Sequence, residues 1–236
     1  KCSVCGKLLA VASVKTSGGT VTCYRDIHEA FDAAKTSGGS TLTLLQDVTL
    51  ADGADIYISP DSGDYRFTVD WNGHVLSGNT GWSLLTFSGS TSVTLKDSSG
   101  SNTGGVCNHD MGAAVYLSIG GSNSVEITGG TYSPLVTTGK DCYGTVRISG
   151  GVFENSKGHG QTFALYNASG SLSGMLAPDT AFAYEADGSK PLNAYAVSQS
   201  DSYKTVYAVT HTHENWTDGV CDCGYPCPHD QVDEEG

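Results

Sequence analysis

His211-Thr212-His213, Cys221-Asp222-Cys223 and Cys227-Pro228-His229 crowd three pairs of metal-binding side chains into the last part of the chain. Thiolate and neutral imidazole suit the borderline-soft Zn²⁺ ion, and four such donors in two pairs meet its tetrahedral demand. The loop between the first two pairs contains Gly219, so His211, His213, Cys221 and Cys223 are the expected ligands of a structural Zn²⁺. A stretch this polar has little else to fold around. Disulfides within the tail are the alternative, since an extracellular setting permits them. At the other end, Cys2-Ser3-Val4-Cys5-Gly6 looks like Cys221-Asp222-Cys223-Gly224 with one more residue between the cysteines. If the unit repeats, Cys2 and Cys5 finish one knuckle, while Cys227 and His229 begin another. The chain then reads as a module cut from a tandem array and monomeric within it.

Other reactive side chains are scattered. Cys107 and Cys142 precede consecutive strand patterns, so a staple between neighbouring coils competes with two separate thiols. Cys2, Cys5, Cys23 and His28 make a second ligand spacing, but His28 falls on a predicted helix. Asp52, Asp55, Asp61 and Asp64 cluster in a turn-rich loop without the spacing of an EF-hand, which favours a solvated acidic loop. Gly158-His159-Gly160 resembles the Gly-His-Gly of polygalacturonases. Inverting glycoside hydrolysis needs two carboxyl groups flanking the bond, and neither the Asp-Asp nor the Arg-Ile-Lys partner motif of that family occurs. The triplet is read as a loop.

The element that must carry these residues repeats itself. Val125-Glu126-Ile127-Thr128-Gly129-Gly130-Thr131-Tyr132 and Val146-Arg147-Ile148-Ser149-Gly150-Gly151-Val152-Phe153 match almost position for position. Each alternates apolar and polar residues and then turns on glycine, as a strand with one buried face does. Strand-and-turn units of this kind bury their apolar faces by stacking, and Glu126 is expected outside beside Arg147. Phe67 and Val93 open similar strands upstream, with steps of 26, 32 and 21 residues along 67, 93, 125 and 146. About six coils at about 4.8 Å each give a body roughly 30 Å long. Ile27, Ala30, Phe31 and Ala34 form one helix face that caps the first coil. Ala194–Val197 and Tyr203–Val209 are expected to close the far end as a hairpin.

Together these phrases, with Tyr24 to Phe31, Val69-Asp70-Trp71-Asn72-Gly73-His74 and Val93 to Gly100, resemble a right-handed parallel β-helix of the pectate-lyase-like type. More closely, they are similar to β-helix modules of tandem-repeat surface proteins from gut Firmicutes. The resemblance implies an all-β chain with three parts. Residues 1–22 hold the half Cys motif, 23–210 the β-helix with its capping helix, and 211–236 the Cys/His knuckle. It also implies an extracellular location on the bacterial cell surface and a partner met there, a host protein such as an immunoglobulin or a glycan.

Composition narrows the partner. The formal net charge is −13 and arginine occurs only at positions 25, 66 and 147, so no basic stripe for nucleic acid exists. No apolar run is long enough to span a membrane. Without a visible catalytic set, the expected role is a non-catalytic, adhesin-like surface whose contacts are Tyr57, Tyr65, Trp71, Trp82, Tyr132 and Tyr143. A polysaccharide lyase or hydrolase, and a plain spacer, are the competing readings.

Overall fold

The computed structural model describes residues 9–60, 63–155, 163–202, 204–213, 216–217 and 219–226. They form a parallel β-solenoid of about four turns. Before it, β1 (Ala12–Lys15) pairs antiparallel with β2 (Val21–Tyr24) and with β3 (Ser40–Leu44), so strand pairing runs across residue 22. Helix α1 (Ile27–Thr36) follows and buries Ile27, Ala30, Phe31 and Ala34, the predicted face. Asp26 caps it, its carboxylate accepting the His28 and Glu29 N–H groups.

Each coil then contributes strands to three faces. The first coil supplies β3 (Ser40–Leu44), β4 (Val48–Thr49) and β5 (Ile56–Ile58). Next come β6 (Tyr65–Asp70), β7 (Val75–Gly78) and β8 (Ser83–Gly89), then β9 (Thr91–Lys96), β10 (Gly105–Asn108) and β11 (Ala113–Ile119). In the later coils β12 (Ser124–Ser133) and β14 (Thr145–Phe153) each run through two faces, leaving β13 (Val136–Thr138) and β15 (Leu165–Asn167) for the third. Phe67 lies beside Val93, Val93 beside Val125 and Val125 beside Val146, all in parallel register. The uneven spacing in sequence is therefore absorbed in the corners, while the strands stay in step.

The paired glycines explain how β12 and β14 turn a corner within one strand. Gly130 and Gly151 have φ of 99° and 115°, a region that side chains enter only at a cost. A Cβ on Gly130 would also stand 2.9 Å from Trp71 Cδ1 and 3.0 Å from the Gly104 carbonyl oxygen. Earlier coils use longer corners. In Trp71-Asn72-Gly73-His74, Asn72 and Gly73 take φ of 51° and 80°, and the His74 N–H closes onto the Trp71 carbonyl at 2.8 Å.

Asp97 fastens that corner to the next coil. Its carboxylate accepts the N–H groups of Gly73 (2.7 Å), Ser99 (3.1 Å) and Gly104 (2.9 Å), and the Ser99 hydroxyl at 2.9 Å. Burial pushes its pKa up, but these donors outweigh burial and hold it below the usual 3.8. A depressed folded pKa means the stabilisation is complete above the unfolded value and is lost as pH falls through the folded one. Asp97→Asn should therefore cost about 1–3 kcal/mol at pH 7, with a smaller difference from wild type at pH 3. Urea unfolding at both pH values checks this; a pH-independent difference would contradict it.

The interior is apolar and continuous, with an aromatic column through it. Trp71, Tyr132, Phe153 and Phe182 follow one another at centroid separations of 6.4, 5.6 and 6.3 Å. The Trp71 indole N–H donates to the Tyr132 hydroxyl (3.0 Å), which donates to the Gly129 carbonyl at 2.9 Å. The column thus satisfies its own polar atoms.

The C-terminal end departs from the expected hairpin. Ala194–Val197 is a turn region, because the Asn193 side chain accepts the N–H groups of Tyr195 and Ala196 (both 3.2 Å) and curls the backbone. Leu172–Met175 is a 3₁₀ turn, so the stack stops at about four turns and not the expected six. The stack is closed instead by β16 (Thr180–Ala183) and β17 (Val206–Thr210), β17 pairing antiparallel with both β14 and β16. A small antiparallel pair, β18 (Trp216–Thr217) and β19 (Val220–Cys221), follows.

Candidate metal centre

The end of β17 delivers the first ligand. His211 follows Thr210 directly, and its N–H bonds the Asp179 carbonyl at 3.0 Å, so the backbone is already fixed where the imidazole begins. Cys221 closes β19, and Gly224, at φ 87°, turns the chain back so that its N–H reaches the Cys221 carbonyl at 2.8 Å. This tight loop sets the Cys221 and Cys223 thiols side by side.

The four predicted ligands meet. His211 Nε2 is 3.1 Å from Cys221 Sγ, His213 Nδ1 is 3.4 Å from Cys223 Sγ, and all four donor atoms lie within 4.8 Å of one another. Ligands 2.0–2.3 Å from a tetrahedral ion stand roughly 3.3–3.8 Å apart, so the cluster is close to the required geometry. Both cysteines are buried and both histidines partly so. Burial pushes the Cys221 thiol up to about 11, and burial, then the nearby His211, holds the His213 imidazole low. Left to themselves these groups resist charge; a divalent cation supplies the compensation that makes a thiolate favourable. The cluster can hold a metal ion.

Two neighbours escaped the sequence pattern. Asp222 Oδ1 lies 3.2 Å from Cys221 Sγ and 3.4 Å from His211 Nε2, an outer carboxylate of the kind that orients metal ligands. Its position inside Cys-Asp-Cys was the available signal. Tyr225 stacks on His213 at 4.2 Å between centroids and 19° between planes. Cys221, Cys223 and Tyr225 pack on Ala181 of β16, so the knuckle rests against the end of the solenoid. Cys2, Cys5, Cys227 and His229 lie outside the described residues.

The remaining candidates do not assemble. Cys107 and Cys142 are free thiols, as the reading of two separate thiols expects. Cys107 Sγ is 3.6 Å from His109 Nδ1, yet burial, then Glu154, raises its pKa, the wrong direction for a nucleophile. Cys23 is exposed, and His28 Nε2 meets the Asp55 carbonyl at 3.3 Å. Asp52 accepts from Asn79 (2.8 Å), and His74 sits 3.3 Å from Asp47 in its turn. Glu126 and Arg147 are register partners on the outer face, but the guanidinium donates to the Leu176 carbonyl at 3.0 Å. Gly158-His159-Gly160 and Asp61 lie outside the described residues.

The six aromatic residues divide. Trp71 and Tyr132 are fully buried in the aromatic column, so they present nothing to a partner. Their apolar rings fill the corner beneath Gly130, where no smaller side chain would close the space. Tyr65 is partly buried, with Lys35 above its ring at 5.9 Å. Tyr57, Trp82 and Tyr143 remain exposed, at 59, 68 and 76%.

No helix among the described residues is long and apolar enough to cross a membrane. Comparison of the chain with protein families, with curated proteins and with solved structures finds no match.

Proposed function

We propose that this chain is a binding module of a bacterial cell-surface protein, recognising an extracellular host protein such as an immunoglobulin, or a glycan, with its tail held by Zn²⁺. The observation that carries the reading is the exposure of Tyr57, Trp82 and Tyr143 on a stacked, hydrogen-bonded scaffold. Large aromatic rings held by a rigid backbone lose little entropy on binding, which is why they anchor interfaces. The scaffold phrases that resemble surface modules of gut bacteria supply the cellular setting.

A direct test immobilises the protein and measures serum immunoglobulins, mucin and a glycan panel by interferometry, with parallel assays for reducing ends and unsaturated uronates. Saturable binding without product supports the module. Product release that Arg147→Ala abolishes would make it a polysaccharide-cleaving enzyme instead. Silence in every assay would leave a spacer.

A further inference from the structure

The third face carries an ordered row that the sequence spacing hides. Tyr57 pairs with Thr86, Thr86 with Tyr116, Tyr116 with Thr137, and Thr137 with Tyr166. Tyrosine and threonine therefore alternate across five successive strands. Neighbours along each strand, such as Ile56, Leu85, Val115 and Leu165, point inward and are buried, which puts the row on the outside.

Exposure within the row also alternates. Tyr57 is 59% exposed, whereas Thr86 and Thr137 are only 1 and 8% exposed. Small residues on alternate coils thus leave room for larger side chains to lie across them. Trp82, 68% exposed, extends the strip beside Tyr116 at 5.9 Å between centroids. The result is an aromatic strip in which Tyr57 and Trp82 are exposed, Tyr116 and Tyr166 are half-buried, and the Trp82 and Tyr116 rings tilt by 49° to each other.

We propose that this strip binds an extended, electrically neutral glycan, an inference that rests on the binding-module reading. Charge decides against other polymers. None of the five strands contains Asp, Glu, Lys or Arg, and the chain carries a formal net charge of −13. The row has nothing to attract a polyanion, and the field around it repels one. Periodicity favours a polymer of repeating units: rungs about 4.8 Å apart place alternate tyrosines about 9.6 Å apart, close to the span of a disaccharide in an extended β-linked chain. Ring faces can receive the C–H faces of pyranoses, while tyrosine hydroxyls reach sugar hydroxyls.

The full chain would be titrated with cellohexaose, xylohexaose and mannohexaose by calorimetry and tryptophan fluorescence, with polygalacturonate as the charged control. At least one neutral hexamer should bind saturably and more tightly than its trimer. Tyr116→Ala should weaken it at least about tenfold, Tyr116→Phe should retain most of the affinity, and Lys190→Ala, at an exposed ion pair, should leave it unchanged. Circular dichroism would confirm that each variant folds. Failure of all three hexamers, indifference to Tyr116→Ala, or tighter binding of polygalacturonate would overturn the proposal. If the hexamers fail while a host protein is still captured, the glycan assignment falls and the binding module stands.

Discussion

Trp71→Ala is expected to destabilise the solenoid by about 3–5 kcal/mol, a fall of roughly 10 °C in the unfolding midpoint for a chain of this size. The indole is fully buried, packs edge-on against Tyr132 and donates to its hydroxyl. Its removal leaves a cavity at the corner where coils meet and deprives the Tyr132 hydroxyl of its donor. Burial already pushes the Tyr132 phenol far above its usual range, so it cannot compensate by ionising. The comparison is Trp82→Ala, whose side chain is mostly exposed and whose loss should move stability by about 0.5 kcal/mol or less. Denaturant unfolding of both variants decides the matter. Equal effects, or a loss below about 1 kcal/mol for Trp71→Ala, would mean that the aromatic column does not hold the coils together.

Removing the metal should act on a different part of the molecule. Purified protein is expected to carry one equivalent of Zn²⁺, and Cys221→Ser or His213→Ala should abolish it. Structural zinc sites in small peptides contribute on the order of 10 kcal/mol, far more than the small cluster of Ala181, Cys221 and Cys223 offers. Chelation should therefore loosen residues 211–226 from β16, making them cleavable by protease while the β-sheet circular dichroism persists. Metal analysis, thiol titration and limited proteolysis with and without chelator read this out. A metal-free preparation with oxidised tail thiols would sink the site; stoichiometric loading with a different transition metal would sink only its assignment to zinc.

The architecture was legible because stacking requires the strands to keep step. Phe67, Val93, Val125 and Val146 were recognisable as equivalent, and they occupy equivalent rungs. The capping helix was legible from four apolar residues on one face, and the ligand set from donor chemistry alone. Side-chain destinations at the corners were not. Nothing local distinguishes Trp71 from Trp82, since both sit beside turn residues, and it is the Gly104 and Gly130 backbones of later coils that enclose the first. The Tyr57, Tyr116 and Tyr166 row was likewise invisible. Its members are far apart in sequence and unevenly spaced, and they align only once each coil's corner lengths are known. The far end is not legible, because Ala194–Val197 has strand-like composition but follows an asparagine that bends the backbone.

Closure of the stack by the antiparallel β17 has a consequence for how such a body lengthens. A further coil cannot be appended along Gly151–Phe153 of β14, because β17 already occupies that edge. New coils must be inserted internally, where parallel neighbours accept them on both sides. The stretch from Val125 to Val146 is the shortest step between rungs and contains both the glycine bend and β13. Duplicating that stretch in place would extend all three faces by one rung and carry the tail outward intact, so variation in length among such proteins would be written in the middle of the chain and not at its end.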